Sequence, residues 1–167
     1  MDNHVHLIAV PESVDSLSKG IGEAHKKYTS MINRREGWKG YLWQGRFLSY
    51  PLDRIYLLAA VRYVEMNPVR SGLVKKAEEY QWSSAKAHVY RMKDLLLTDE
   101  QLLDEIGDWK TYLSGFDDCD IETKVQKHSA TGRPLGNKQF IIDLEKLTGR
   151  SLKKGKPGPK TRVKINK

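Results

Sequence analysis

An α+β fold is predicted from three features of this 167-residue sequence. Two short β-prone runs lie at residues 4–10 and 41–51, and two longer runs carry the apolar spacing of helices. The third feature is composition: 39% hydrophobic and 9% aromatic residues fill one core plus an appendage, and not two full domains.

Residues 4–10, rich in Val, Ile and Leu, are expected to form a strand that stops at Pro11. Val14, Leu17, Ile21, Ala24, Tyr28 and Met31 or Ile32 then follow the three-four rhythm of an amphipathic helix, capped near Ser13 and ending around Gly37. Lys26, Lys27, Arg34 and Arg35 crowd its end, where cations suit the helix's negative pole and can equally meet phosphate. Residues 41–51 are expected to form a second strand, with Gly45 as a bulge or a point of close backbone approach.

Asp53 is placed to cap a helix over 54–66 that is apolar nearly all round, as a buried helix should be. Pro68 disfavours helical geometry at Asn67 and predicts the helix's end there. Short helices follow Trp82-Ser83-Ser84, Thr98 and Trp109. Two more, over 121–128 and 137–147, flank the turn Thr131 to Gly136. That pair reads as a helical hairpin packed on the core, with a DNA-reading helix-turn-helix as the alternative. Internal repeats are absent.

Net charge is +8, and the eight basic residues from Arg150 to Lys167, with no acid among them, account for all of it. Residues 154–160 are too rich in Gly and Pro to fold alone, so an extended cationic tail is expected, of the kind that displaces counterions from nucleic acid. No apolar run reaches membrane-spanning length and no secretory leader is present, so a soluble intracellular protein without a membrane partner is expected. Cys119 is the single cysteine, which rules out an internal disulfide.

Two motifs carry chemistry. In a strand, His4 and His6 project from one face about one metal's width apart. In a helix, Tyr63 and Asn67 stack one turn apart. Each is weak alone: paired histidines occur as structural residues, a tyrosine is usually core, and Asn-Pro is a helix stop. Ile8 stands where a third alternating histidine would point to a nucleotide hydrolase. Together, two imidazoles and an amide oxygen can hold Mg2+ or Mn2+ with positions open for phosphate, while a phenol attacks phosphorus. Trp43 and Arg46 are either strand residues or a base-stacking and phosphate-holding pair.

In Met1 to Ile8, Leu42 to Phe47, Tyr63 to Val74 and Trp82-Ser83-Ser84, the sequence resembles the single-tyrosine transposases of the His-hydrophobic-His class, most closely the REP-associated tyrosine transposases. The segments occur in the family's order through about the first ninety residues. A weaker likeness runs from Thr131 to Gly136 and into the basic end. The resemblance implies that His4, His6 and Asn67 bind a divalent metal, Mg2+ or Mn2+. It implies further that Tyr63 cleaves single-stranded DNA beside a hairpin, leaving a 5′-phosphotyrosine and a free 3′-hydroxyl.

The fold so implied is a small antiparallel sheet backed by helices, a ferredoxin-like core. Family members carry a strand and helix before the histidine strand, so a core lacking its front is expected, with residues 4–10 left as an apolar edge. The organisation expected is a catalytic core over 1–92, a helical extension over 93–149 and a flexible basic tail over 150–167. Arg34, Arg35, Trp43, Arg46, Lys153, Lys154, Lys156 and Lys160 are the expected DNA contacts, on single-stranded or hairpin DNA at the nucleoid. Monomer and homodimer both stay open. The alternative function is a remnant that grips hairpin DNA without cutting it.

Overall fold

The computed structural model describes residues 4–98, 100–115 and 119–152. Its elements are helices α1 (Ser16–Glu36), α2 (Arg54–Arg70), α3 (Ala85–Tyr90), α4 (Glu100–Ile106), α5 (Trp109–Ser114), α6 (Cys119–Thr131) and α7 (Lys138–Thr148), with a single 3-10 turn at Ala77–Glu79. The expected sheet is not formed. Among the described residues the one β contact is an isolated parallel bridge between Leu52 and Leu135, so the α+β class and the ferredoxin-like core give way to an α-helical fold.

The physical reason is pairing. β-prone residues make a strand only when another backbone completes their hydrogen bonds. No strand is assigned over residues 4–10 among the described residues, and Val5, Leu7, Ile8 and Val10 are exposed. Residues 42–46 bend, and Trp43 packs back onto α1 rather than onto a neighbouring strand.

Helix α2 is the hub. Asp53 caps it, one carboxylate oxygen accepting the Tyr56 N–H at 3.0 Å. The helix continues through Pro68 to Arg70 instead of stopping at Asn67. It tolerates the proline because the chain closes immediately beyond it. The Ser71 N–H donates to the Asn67 carbonyl, the Gly72 N–H to Val69 and the Leu73 N–H to Pro68, each at 2.9 Å. One side of α2 contributes Val61 to a core with Ala77, Ala85, Trp109 and Leu113. Its other side contributes Ala60 to a smaller core with Val125 of α6 and Leu135. Residues on both sides of position 92 therefore share buried contacts.

The second core is clasped shut. Beside the Leu52–Leu135 bridge, the Asp53 N–H donates to the Leu135 carbonyl at 3.1 Å and the Leu135 N–H to Pro51 at 3.0 Å. The remaining Asp53 oxygen accepts the Asn137 N–H at 2.8 Å. Gly136 lies in this clasp because a Cβ there would stand 2.2 Å from Phe140 Cδ1. Of the hairpin alternatives, α6 packs on α2, whereas α7 buries no residue completely.

Helix α1 ends, as its periodicity predicts, at Gly37, whose φ of 69° is the left-handed cap that glycine adopts without strain. Its N-cap is Asp15, two residues beyond Ser13, and Ser13 Oγ donates to the Asp15 carboxylate at 2.8 Å.

Candidate active site

Tyr63 owes its orientation to a charge two residues away. Glu65 is 1% exposed, and its carboxylate takes the Trp109 indole N–H at 2.7 Å, the Ser84 hydroxyl at 2.5 Å and a hydrogen bond shared with His88 Nδ1 at 2.5 Å. A buried carboxylate is tolerated only when its acceptor sites are filled, and α3 with its N-cap residue and α5 supply the partners. Two helical residues subtend about 200°, so fixing Glu65 in the first core turns Tyr63 to the opposite side of α2. Asn67 follows Tyr63 by about 40° and shares that side.

On that side the sequence-predicted residues meet. The His6 ring stands edge-on to the Tyr63 ring, with centroids 5.9 Å apart, and the His4 ring stands edge-on to His6 at 4.8 Å. Partial burial and then the neighbouring His4 hold the His6 imidazole below its usual range, which favours the neutral ring and its lone pair. Tyr63 is half-buried beside Tyr50, Leu52 and Tyr56. Burial, then the Tyr63 phenol nearby, push the Tyr50 phenol up.

One partner of Tyr63, Arg70, lies outside the motifs that carry the chemistry. The Arg70 guanidinium lies 4.6 Å above its ring, and Arg70 also donates to the Tyr63 carbonyl. This brings positive charge to one face of the Tyr63 ring. The signal in the sequence was the i+7 spacing on one helix, two turns apart on one face.

The metal donors fit in part. Among the described residues no group of three or more His, Cys, Asp or Glu side chains gathers to hold an ion. His4 and His6 bring two adjacent imidazoles together, and the Asn67 amide, on the Tyr63 side of α2, is the further oxygen donor that side offers.

The expected DNA contacts are dispersed. Trp43 is stacked on His25 of α1, with centroids 4.0 Å apart and planes 13° apart, and its indole N–H donates to the His25 carbonyl at 3.3 Å. One face of the indole is thus already covered by protein. Arg34 and Arg35 are exposed at the end of α1, Arg35 pairing with Glu36, and Arg46 is exposed on the facing segment. Lys153, Lys154, Lys156 and Lys160 lie outside the described residues. No helix among the described residues is long and apolar enough to cross a membrane. Comparison with family models, with curated proteins and with solved structures finds no match to this chain.

Proposed function

We propose that the chain is a tyrosine-dependent DNA strand transferase acting on hairpin-associated single strands, of the REP-associated kind its motifs resemble. The observation that carries this reading is the contact of the Tyr63 ring with His6, and of His6 with His4, on the side of α2 that bears Asn67. Residues sixty apart in sequence form one cluster, as the chemistry requires.

In the proposed reaction the Tyr63 oxygen attacks a backbone phosphorus and the P–O3′ bond breaks. The phosphate stays on the phenol, the phenolic proton is lost to solvent, and the 3′ oxygen takes up a proton. The covalent link stores the bond energy for rejoining to another 3′ end. His4, His6 and Asn67 would hold Mg2+ or Mn2+, which when bound withdraws charge from the phosphate oxygens. Arg70 adds a fixed positive charge beside the ring. The basic residues hold the strand through its phosphates.

The test is a covalent adduct. A hairpin oligonucleotide with a single-stranded flank, incubated with the protein and Mn2+, should give a band that survives denaturing electrophoresis. The band should vanish in Tyr63→Phe and in EDTA; an adduct that persists in Tyr63→Phe overturns the assignment. A second reading, hairpin binding without cleavage, is favoured by one observation: among the described residues the segment that carries the two imidazoles is not assigned to a strand. Under it, binding survives Tyr63→Phe and EDTA while no adduct forms with wild type.

A further inference from the structure

A groove of about 790 Å³ runs between α1 and residues 40–47, away from the residues around Tyr63. Its lining includes Lys26 and Arg46 as the charged side chains and no Asp or Glu. Tyr41 and Trp43 line the same groove. They differ in what they touch. Trp43 is committed to the protein by its stack on His25 and its bond to the His25 carbonyl, whereas the Tyr41 side chain is fully exposed.

Tyr41 and the two cations line one groove, so an exposed ring is available to a planar partner that also carries negative charge. The groove also continues along the helix. Ser30 belongs both to it and to a neighbouring hollow of about 390 Å³ lined by Lys27, Met31, Arg34 and Arg35. Positions 26, 30 and 34 form one stripe of α1, and 27, 31 and 35 the next, so the cations form a track along the axis rather than a cluster. Acidic neighbours at Glu23 and Glu36 sit outside both hollows, each within ion-pair distance of one cation.

We propose that this groove is a binding site for unpaired nucleotides of a single strand, with Tyr41 as the stacking platform and Lys26 and Arg46 on the phosphates. Sequence-tolerant single-strand binding combines these two elements: a backbone-tracking row of positive charge and a ring on which a base lies. A folded acidic protein would use the charge and leave the ring idle, and a duplex keeps its bases stacked on one another. Trp43 is then the groove's wall, and its removal acts through the loop's packing on α1. This deepens the function proposed above and shares its polymer. It needs no chemistry, because a chain that never forms an adduct still holds a strand here.

The test uses the full chain in a Tyr63→Phe background with EDTA, so that cleavage plays no part, and a fluorescently labelled oligo-dT read by anisotropy. Tyr41→Ala should weaken binding about tenfold without changing its salt slope, because it removes one stacked base and no charge. Lys26→Ala with Arg46→Ala should shallow the slope of log affinity against log salt by about 1.4, two phosphate contacts on a single strand. Both variants should match the parent in circular dichroism, since none of the three side chains is buried. Unchanged affinity in Tyr41→Ala overturns the proposal. So does heparin binding as tight as oligo-dT binding that Tyr41→Ala weakens to the same extent, because heparin has no base to stack and the ring would then act without one. In the chain that keeps Tyr63, with Mn2+ present, a normal covalent adduct in Tyr41→Ala together with unchanged affinity removes the groove and leaves cleavage standing. Oligo-dT binding lowered by Tyr41→Ala in a chain that forms no adduct does the reverse.

Discussion

The Trp109 indole donates to the Glu65 carboxylate across 2.7 Å, tying α5 to the centre of α2 through a hydrogen bond buried at both ends. Glu65 is the largest obligation in the core, since three neighbours have arranged their donors around it. Glu65→Ala should therefore cost about 3 kcal/mol in urea denaturation, because Ser84, His88 and Trp109 lose a shared acceptor out of water. Trp109→Phe, which leaves the other two bonds, should cost about 2 kcal/mol. Equal stability of Glu65→Ala and wild type would contradict this account of α2.

Asp53 serves two elements with one side chain, capping α2 at Tyr56 and holding the Asn137 N–H of the segment that enters α7. Asp53→Ala should lose about 2 kcal/mol, from one cap and one long-range bond to a charged acceptor. Amide exchange should accelerate at Tyr56 and Asn137 together. In Gly136→Ala the added methyl collides with the Phe140 ring, and a loss of about 1–3 kcal/mol is expected in thermal melts.

His6 touches both His4 and Tyr63, so its removal should separate binding from chemistry. His6→Gln should reduce adduct yield about a hundredfold, the loss expected when several kcal/mol of charge stabilisation is withdrawn. Oligonucleotide affinity in EDTA should not change. Titration calorimetry with Mn2+ should show the matching loss of metal binding.

Tyr112 sets the alkaline limit. Burial, then the nearby Glu65 charge, push its phenol up to about 12, and its hydroxyl donates to the Leu58 carbonyl. Above its ordinary value of 10.0 the unfolded chain releases this proton while the folded chain keeps it. Unfolding is thus favoured as pH rises from 10 toward 12, and the stability contributed by the neutral phenol is fully present below 10. Melting temperature should fall between about pH 10 and about pH 12, and Tyr112→Phe should remove about 1 kcal/mol of that fall once the ring's partial exposure is allowed for.

The helices were legible where local chemistry decides them. Asp53 as a cap and Gly37 as a stop are short-range effects, and both stand where capping rules put them. Tyr63 and Asn67 lie on one side of α2 because the 3.6-residue period requires it. The strands were misread because β propensity is a statement about partners. Val5 and Ile8 have none among the described residues, and Trp43 found one in His25. Pro68 was read as a stop because the rule weighs the residue before proline, whereas Ser71, Gly72 and Leu73 supplied the closing bonds. Glu65 was hidden because a single acid in an apolar run carries no mark of burial. Its partners come from positions 84, 88 and 109, a separation no local window spans.

The Asp53 to Asn137 bond joins residues 84 apart, and it has a consequence for synthesis. While a ribosome is still making the intervening chain, the face of α2 that will meet Val125 and Leu135 has nothing to lie against. The helix bearing Tyr63 emerges half-dressed, and its apolar side is open to chaperones until the turn before α7 has left the exit tunnel. Translational pausing before that turn would lengthen this interval, and pausing after it would not.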